Sequence, residues 1–228
     1  DGLYALSATT VVEYDNHYEK TDIIAQISDL WELPGGSAAM VVGYEGFDNI
    51  YSAQYDKHSE GGYVGGSAGN SGAGTRSVDS YFAEVLFPVA NGLEVNAAVR
   101  SDDYSDVGGN DSFKVGVLWE GNKGTSIKAN TGTGFRAPTM DTLYGVTTFS
   151  ANTATDYLAC ANAGISQSGC ASKQVSTLIT SNPNLGAESS DSTVFSISQD
   201  LGELTPALEN VSVRLDWYNI AMEDLISS

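Results

Sequence analysis

Polar and apolar residues alternate along most of this 228-residue chain. In the segment LEVNAAVR, residues 93–100, the apolar side chains fall mainly at every second position, with polar ones between them. Successive side chains of a β-strand point to opposite faces of its sheet, so this pattern predicts strands with one apolar and one polar face. FKVGVLWE and NVSVRLDWY repeat the pattern, and helical periodicity is almost absent. We therefore predict an all-β protein of about eight antiparallel strands.

The connections between the predicted strands fall into two alternating kinds. The short connections are 33–36, 88–92, 120–124 and 201–209, and the long connections are 58–76, 102–111 and 137–188. Antiparallel neighbours send successive connections to opposite ends of a sheet, so each kind is expected to share one end. Short turns at one end and long loops at the other are typical of a transmembrane β-barrel, whose short turns face the periplasm and long loops the exterior. Several strands alternate for about 9 to 11 residues, enough to cross a bilayer when tilted.

Charged residues recur on the polar faces of these strands. The candidates for lining a hydrated lumen are Glu94, Arg100, Lys114, Glu120, Lys128, Arg136, Arg214 and Asp216. A soluble β-sandwich also has a wet polar face, so alternation alone does not decide between the two folds. Sandwich strands are shorter, however, and their connections show no regular short–long asymmetry. A barrel with a polar lumen fits both observations.

Composition excludes some functions. The net charge of −19 argues against nucleic-acid binding, which needs a basic patch. No nucleophile–base pair, phosphate-binding loop or metal-ligand cluster is recognisable, so we predict neither an enzyme nor a bound cofactor. The acidic segment SDDYSDVGGND does not have the spacing of an EF-hand loop. We interpret it as a solvated turn, with a divalent-ion site as the alternative.

The only two cysteines, Cys160 and Cys170, lie within the long connection 137–188. A metal site needs more ligands than two thiols, and the two histidines, His17 and His58, are distant in sequence. We predict a disulfide that closes a small loop, which implies an oxidising compartment. Two unrelated free thiols are the alternative interpretation.

Several segments resemble the barrel of TonB-dependent outer-membrane receptors. They include TGTGFRAPTMDTLYG from Thr131, SNPNLGAESSDS from Ser181 and VRLDWYNIAMEDLI from Val213, in the order and spacing of that family over most of residues 20 to 228. Gly186-Ala187 stand where the family usually has Lys-Pro. The resemblance implies that residues 1–228 are a middle portion of a 22-stranded barrel, without the plug domain and the C-terminal strands. Arg136 would then end a strand, and Ala137-Pro138 would lead into a long extracellular loop.

The resemblance also implies a function. Such receptors take up scarce nutrients (siderophores, cobalamin or oligosaccharides) across the outer membrane of Gram-negative bacteria. They are surrounded by outer-membrane lipid, and a periplasm-spanning protein supplies energy through the plug. Aromatic and amide residues of the long loop are therefore candidates for ligand contact: Tyr144, Phe149, Asn152 and Tyr157. A secreted or surface β-sandwich that serves in binding or adhesion, and a passive porin, are the alternatives.

Overall fold

The computed structural model describes residues 7–64 and 71–227 of the chain. Its strands are β1 (Val12–Ile27), β2 (Glu32–Leu33), β3 (Gly36–Ser37), β4 (Ala39–Tyr55), β5 (Gly72–Ala90), β6 (Leu93–Tyr104), β7 (Gly108–Glu120), β8 (Thr125–Arg136), β9 (Thr148–Ala154), β10 (Lys173–Ile179), β11 (Glu188–Asp200) and β12 (Ser212–Glu223). The α-helices are α1 (Lys57–Glu60), α2 (Met140–Tyr144) and α3 (Tyr157–Asn162). Short 3₁₀ turns lie at Asn122–Gly124, Gln167–Gly169 and Pro206–Leu208.

Eight long strands form a single sheet in the order β1-β4-β5-β6-β7-β8-β11-β12. The pairings from β5 to β12 are antiparallel throughout. This confirms the predicted all-β class and the count of eight strands. The pairs β2–β3 and β9–β10 form two small separate sheets. Among the described residues, no helix is both long and apolar enough to span a membrane.

The strand register confirms the predicted alternation of faces. Val95 pairs with Val117, and in the same ladder Asn96 pairs with Gly116. Directly paired residues share a face, so the pairings can be followed from strand to strand across β5 to β12. All eight predicted charges fall on one face, and the apolar positions that alternate with them fall on the other. That the charged face lines a lumen stays a prediction.

The predicted connection 102–111 is wrong as a long loop. Strand β6 continues to Tyr104 and β7 begins at Gly108, which leaves only three residues between them. The acidic side chains misled the prediction because a ladder forms through the backbone, whatever the side chains are. Asp102 pairs with Asn110 in this extension. The connection 58–76 likewise shrinks to 56–71, of which residues 65–70 lie outside the described part of the chain.

The predicted connection 137–188 matches the structure in extent but not in its expected irregularity. It runs from 137 to 187 and contains the hairpin β9–β10 together with helices α2 and α3. Seven residue pairs join the hairpin, from Lys173–Ala154 to Ile179–Thr148. Its strands are rich in threonine, valine, isoleucine and phenylalanine, which favour extended backbone. Strand β1 was also missed in its first half, because in VEYDNHYEK the polar residues Asn16 and Lys20 interrupt the face that carries Val12, Tyr14 and Tyr18.

The chain divides into two compact units. The loop unit comprises residues up to His17, Ile50–Thr75 and Thr139–Asn184, and the sheet unit comprises Tyr18–Asn49, Arg76–Pro138 and the residues from Leu185 onward. Buried apolar side chains are few: Ala38, Ala53, Val78, Met140 and Leu143. The apolar face of the sheet is largely exposed, and Leu215 is 69% accessible. The sheet therefore has no core of its own on that face within the described chain.

Turns at the short-connection end follow local chemistry. Residues 91–92 join β5 to β6, and Gly92 adopts a φ of +74°. The Glu120 amide donates a 2.6 Å hydrogen bond to the Gly92 carbonyl. Glycine suits position 92 because the backbone there needs a positive φ, which costs glycine no steric strain.

Candidate functional site

The apolar face of the sheet unit ends along an oblique line. One row of directly paired residues runs Val85, Ala97, Val115, Thr131, Thr193, Asn219. In β5 the uninterrupted apolar run continues four residues beyond this row, to Tyr81, and stops before Asp79. In β12 it stops two residues short of the row, at Trp217. In β6 and β7 the apolar run ends two residues beyond the row, at Val99 and Phe113. In β8 and β11 it ends two residues short of the row, at Ala129 and Phe195, as in β12.

From β5 to β12 the end of the apolar run moves by six residues relative to the row of paired residues. This displacement sets an angle between the apolar boundary and the row. Six residues correspond to about 20 Å along the strands, and five strand-to-strand steps correspond to about 24 Å across them. The boundary is thus inclined by about 40° to the rows. Strands of membrane barrels are tilted by roughly 35–45°, which places an apolar band of constant height at this inclination. Phe135 lies beyond the last β7–β8 pair and packs edge-on against Tyr104, 5.6 Å between ring centres.

The polar face carries a continuous charge network. The Lys20 ammonium lies 3.0 Å from Glu45 Oε2, and Arg100 Nη2 donates to Glu45 Oε1 at 3.1 Å. Arg100 Nε also donates to Asp102 Oδ1 at 2.8 Å, which in turn accepts from Ser80 Oγ at 2.5 Å. Asp102 is 3% exposed, so its charge depends on these donors. The network links strands β1, β4, β5 and β6 across the sheet.

The remaining predicted charges are arranged differently. Asp216 accepts from Arg214 Nε at 2.8 Å and from Ser196 Oγ at 2.5 Å. Lys114 and Lys128 form no ion pair with the residues that the structure describes. Together with other polar side chains they line an open groove, whose further residues include Glu84, Glu94, Asn96 and Asn130. The groove can offer donors and acceptors to whatever fills this side of the sheet.

Arg136 closes the base of the long connection. It pairs in register with Glu188, so the two residues are the last and first strand residues on either side of 137–187. Arg136 Nη2 donates to Glu188 Oε1 at 2.8 Å, and Arg136 Nε lies 2.5 Å from Oε2. The Ile226 amide also donates to Glu188 Oε1 at 2.7 Å. Glu188 is 2% exposed, and these donors compensate for its burial.

A second arginine, Arg76, bonds the backbone just after Arg136, and sequence reasoning missed it. Arg76 Nε donates to both carboxylate oxygens of Asp106, at 3.0 and 2.9 Å, and its Nη2 donates to the Pro138 carbonyl at 2.8 Å. Its guanidinium also lies over the Tyr104 ring, 5.5 Å from the ring centre. The side chains of Arg76 and Asp106 are only 11% and 5% exposed. The three partners are 28 to 62 residues away in sequence, so no local pattern could have revealed the cluster.

The four predicted ligand contacts lie on three elements of the loop unit. Tyr144 ends α2, and its ring packs against Gly74, where a β-carbon would come within 2.5 Å of it. Asn152 Nδ2 donates to Thr177 Oγ1 at 3.1 Å within the hairpin. Tyr157 begins α3 and is 54% exposed. Phe149 belongs to β9, but its side chain lies outside the described part of the structure. Their role in ligand contact stays a prediction.

The predicted disulfide is confirmed. Cys160 and Cys170 are bonded, with their Cα atoms 5.9 Å apart. The bond joins Cys160 within α3 to Cys170, which directly follows the 3₁₀ turn Gln167–Gly169. Asp156 caps α3 by accepting from the Ala159 amide at 2.8 Å.

Asp56 holds a second corner of the loop unit. Its carboxylate accepts from the Ser59 hydroxyl at 2.7 Å, the Val11 amide at 3.0 Å and the His58 amide at 2.9 Å. These donors, the Ser59 hydroxyl foremost, hold the pKa of the Asp56 carboxyl well below its usual range. Asp56 thereby caps α1 and ties it to the start of β1.

The acidic turn does not gather its carboxylates. Asp102 lies on the polar face with Arg100, whereas Asp103 and Asp111 occupy positions of opposite parity in their strands. Asp106 is bound to Arg76. Among the described residues, no cluster of three or more histidine, cysteine or acidic side chains could hold a metal ion.

Comparisons with known proteins agree with this geometry. The family model "TonB dependent receptor-like, beta-barrel" matches residues 3–228. The siderophore receptor PirA from Acinetobacter baumannii is similar with a TM-score of 0.59 and 16% identity, over 96% of this chain and 28% of that one.

Two other solved structures share the fold. A mutant ferric enterobactin receptor, PfeA from Pseudomonas aeruginosa, in complex with enterobactin, matches with a TM-score of 0.51 and 19% identity, over 84% of this chain and 25% of that one. The RagAB peptide transporter matches with a TM-score of 0.52 and 14% identity, over 93% of this chain and 24% of that one. The chain thus spans about a quarter of the length of the structures it matches.

Proposed function

Because the chain belongs to the TonB-dependent receptor β-barrel family, we propose that it forms part of an outer-membrane receptor for energy-dependent uptake of a ferric siderophore. The observation that carries this proposal is the oblique, exposed apolar face opposite a charged face. An apolar band inclined by about 40° to the rows fits strands tilted in a bilayer. In a β-sandwich an apolar face would be covered by a second sheet instead.

On this proposal the connections 56–71, 105–107 and 137–187 face the exterior, and the tight turns face the periplasm. The antiparallel pairings from β5 to β11 support a shared end for these three connections, because antiparallel neighbours send successive connections to opposite ends. The long connection is the segment that meets the ligand first, and its predicted contact residue Tyr157 is 54% exposed. The charged face lines the lumen, where a plug domain supplied by the rest of the receptor is the expected occupant. A periplasm-spanning protein acts on that plug.

The siderophore class is supported by two of the similar structures, which are receptors of that class. Sequence identities of 16–19% support a shared fold, and the identity of the ligand has to be tested by experiment. Cobalamin, an oligosaccharide and a peptide are the competing ligands. We assign no catalytic role to the chain, because the matching family and the similar structures are receptors and transporters.

The test uses the full-length receptor in its own cells. Iron is supplied only as ⁵⁵Fe-labelled ferric enterobactin, and uptake is compared between wild type, a deletion strain and the deletion strain carrying the receptor gene. We expect uptake that is lost on deletion, restored by the gene and abolished by a protonophore. Uptake that persists with the protonophore would indicate a passive porin. Restored growth on cobalamin, oligosaccharide or peptide, without ferric enterobactin uptake, would replace the siderophore by that ligand.

Membrane insertion is tested separately. The receptor should fractionate with the outer membrane and require detergent for extraction. A freely soluble receptor would refute the barrel interpretation and restore the β-sandwich alternative.

A further inference from the structure

We propose that Arg76 is a positioning residue that fixes the point at which the long connection leaves the sheet, and thereby keeps the receptor competent to bind ligand. The ligand-binding part rests on the proposed function. The geometric part does not. Both parts start from the cluster that Arg76 forms with Asp106 and the Pro138 carbonyl.

The position of Arg76 in the chain is the first argument. The chain passes from the loop unit to the sheet unit between Thr75 and Arg76, and it leaves the sheet unit again after Pro138. The 2.8 Å hydrogen bond from Arg76 Nη2 to Pro138 therefore joins two of the places where the chain changes unit. A single side chain holds both crossings together. The contact spans 62 residues of sequence, so it restricts the chain far more than a local turn would.

The strength of the contact is the second argument. The planar guanidinium offers several donors in fixed directions, and here one edge serves Asp106 while another donor serves the carbonyl. Burial of both side chains means that losing either partner leaves a charge without compensation. The Tyr104 ring beneath the guanidinium restricts it further, and Phe135 in turn packs against Tyr104. A lysine could replace the charge but not this set of directed bonds.

The shape of the exit is the third argument. Pro138 is fully buried and its φ is fixed by its ring, so the backbone there has little freedom of its own. Thr139 follows as the first flanking residue of α2. An exit that is held at Pro138 leaves fewer orientations open to the segment beyond it. A ligand that needs one of those orientations then binds without the cost of ordering the segment.

The experiment uses the full-length receptor and four variants: R76Q, R76K, D106N and the control R214Q. Arg214 also bonds a carboxylate at 2.8 Å, but it is 65% exposed and lies in β12. Amide hydrogen exchange is measured in the segment 137–147, and binding of ferric enterobactin is titrated in outer-membrane preparations. The number of binding sites per milligram of membrane protein reports assembly.

We expect exchange in 137–147 to rise about tenfold in R76Q, the size of change expected when a charged hydrogen bond is lost. The dissociation constant should rise by about the same factor with an unchanged number of sites. R76K should fall between R76Q and wild type, and D106N, which keeps the Pro138 contact, should rise only about threefold. R214Q should match wild type.

Wild-type exchange and affinity in an assembled R76Q receptor would overturn the proposal. If R76Q does not assemble, D106N decides by the same exchange measurement, and wild-type exchange there would equally overturn it. A purely structural role would lower the number of sites at unchanged affinity, which also contradicts the proposal. If the wild-type receptor binds no ferric enterobactin, the ligand assignment fails, while the exchange measurement still decides the role of Arg76.

Discussion

The sheet unit and the loop unit are each stabilised internally, by different kinds of interaction. In the sheet unit, ladders of 12 residue pairs join β6 to each of its two neighbours, β5 and β7, and the same alternation of faces recurs along all three strands. In the loop unit, single devices at single positions hold each segment: the disulfide at one corner and the Asp56 cap at another. A sheet held by many equivalent residue pairs should tolerate the loss of one pair. A loop segment held by one bond or one cap should be destabilised when that interaction is removed. The following experiments test this contrast, from the largest expected effect to the smallest.

A charge on the apolar face should do the most damage. Val117→Arg places a guanidinium in the apolar band, which costs about 2–4 kcal/mol at the middle of a bilayer. Asn130→Arg is the matched control, since Asn130 pairs with Gly116 on the charged face. Urea unfolding of the full-length receptor in lipid vesicles measures both. Equal destabilisation by the two substitutions would contradict the assignment of faces.

Removing the disulfide should affect the loop unit alone. The double variant C160S/C170S loses a cross-link worth about 2–3 kcal/mol in the chain-entropy model. We expect faster amide exchange in residues 157–170 and unchanged exchange in β6 and β7. Accelerated exchange in those strands would mean that the two units are not stabilised separately.

Substituting two glycines that both have a positive φ distinguishes the cost of backbone strain from the cost of steric contact. Gly92 and Gly108 have φ of +74° and +81°, but a β-carbon on Gly92 would lie 2.3 Å from the Glu120 carbonyl oxygen, whereas one on Gly108 meets nothing within 4 Å. Gly108→Ala should cost about 1 kcal/mol from backbone strain alone. Gly92→Ala should cost about 1–2 kcal/mol more, because overpacking adds to that strain. Equal unfolding free energies for the two variants would refute the steric contribution.

The Asp56 cap should make α1 sensitive to acid. The pKa of Asp56 is lowered in the folded protein, so the charged carboxylate stabilises the cap above the ordinary aspartate pKa of about 3.9. This stabilisation is lost as the pH falls below that value toward the folded pKa. Protection of the amides in residues 56–63, measured against the intrinsic exchange rate at each pH, should therefore fall between about pH 5 and pH 3. In Asp56→Asn, which keeps an acceptor but has no carboxyl to titrate, protection in this segment should not change over the same interval.

The sheet could be predicted from the sequence because the alternation of polar and apolar residues is repeated in many strands. Alternation over many residues predicts which side chains share a face, and Val95, Lys114 and Leu215 all lie where their parity places them. The strand ends were harder, since Asp102 and Asp103 look like a loop but still pair through the backbone. The Arg76 cluster could not be predicted, because its partners are brought together only by the fold. Arg136 was noticed at its strand end, whereas its buried partner Glu188 emerged only from the register.

The disulfide has a consequence for the biogenesis of the receptor. Its cysteines are ten residues apart, so the bond needs neither the sheet nor any distant strand in order to form. On the proposed orientation this segment must travel from the periplasm to the cell surface. Thiol oxidation takes seconds to hours, and the oxidising enzymes of the periplasm meet the chain before it enters the membrane. The tip of the long connection would then cross the outer membrane already cross-linked, as a small closed ring that the assembly machinery has to accommodate.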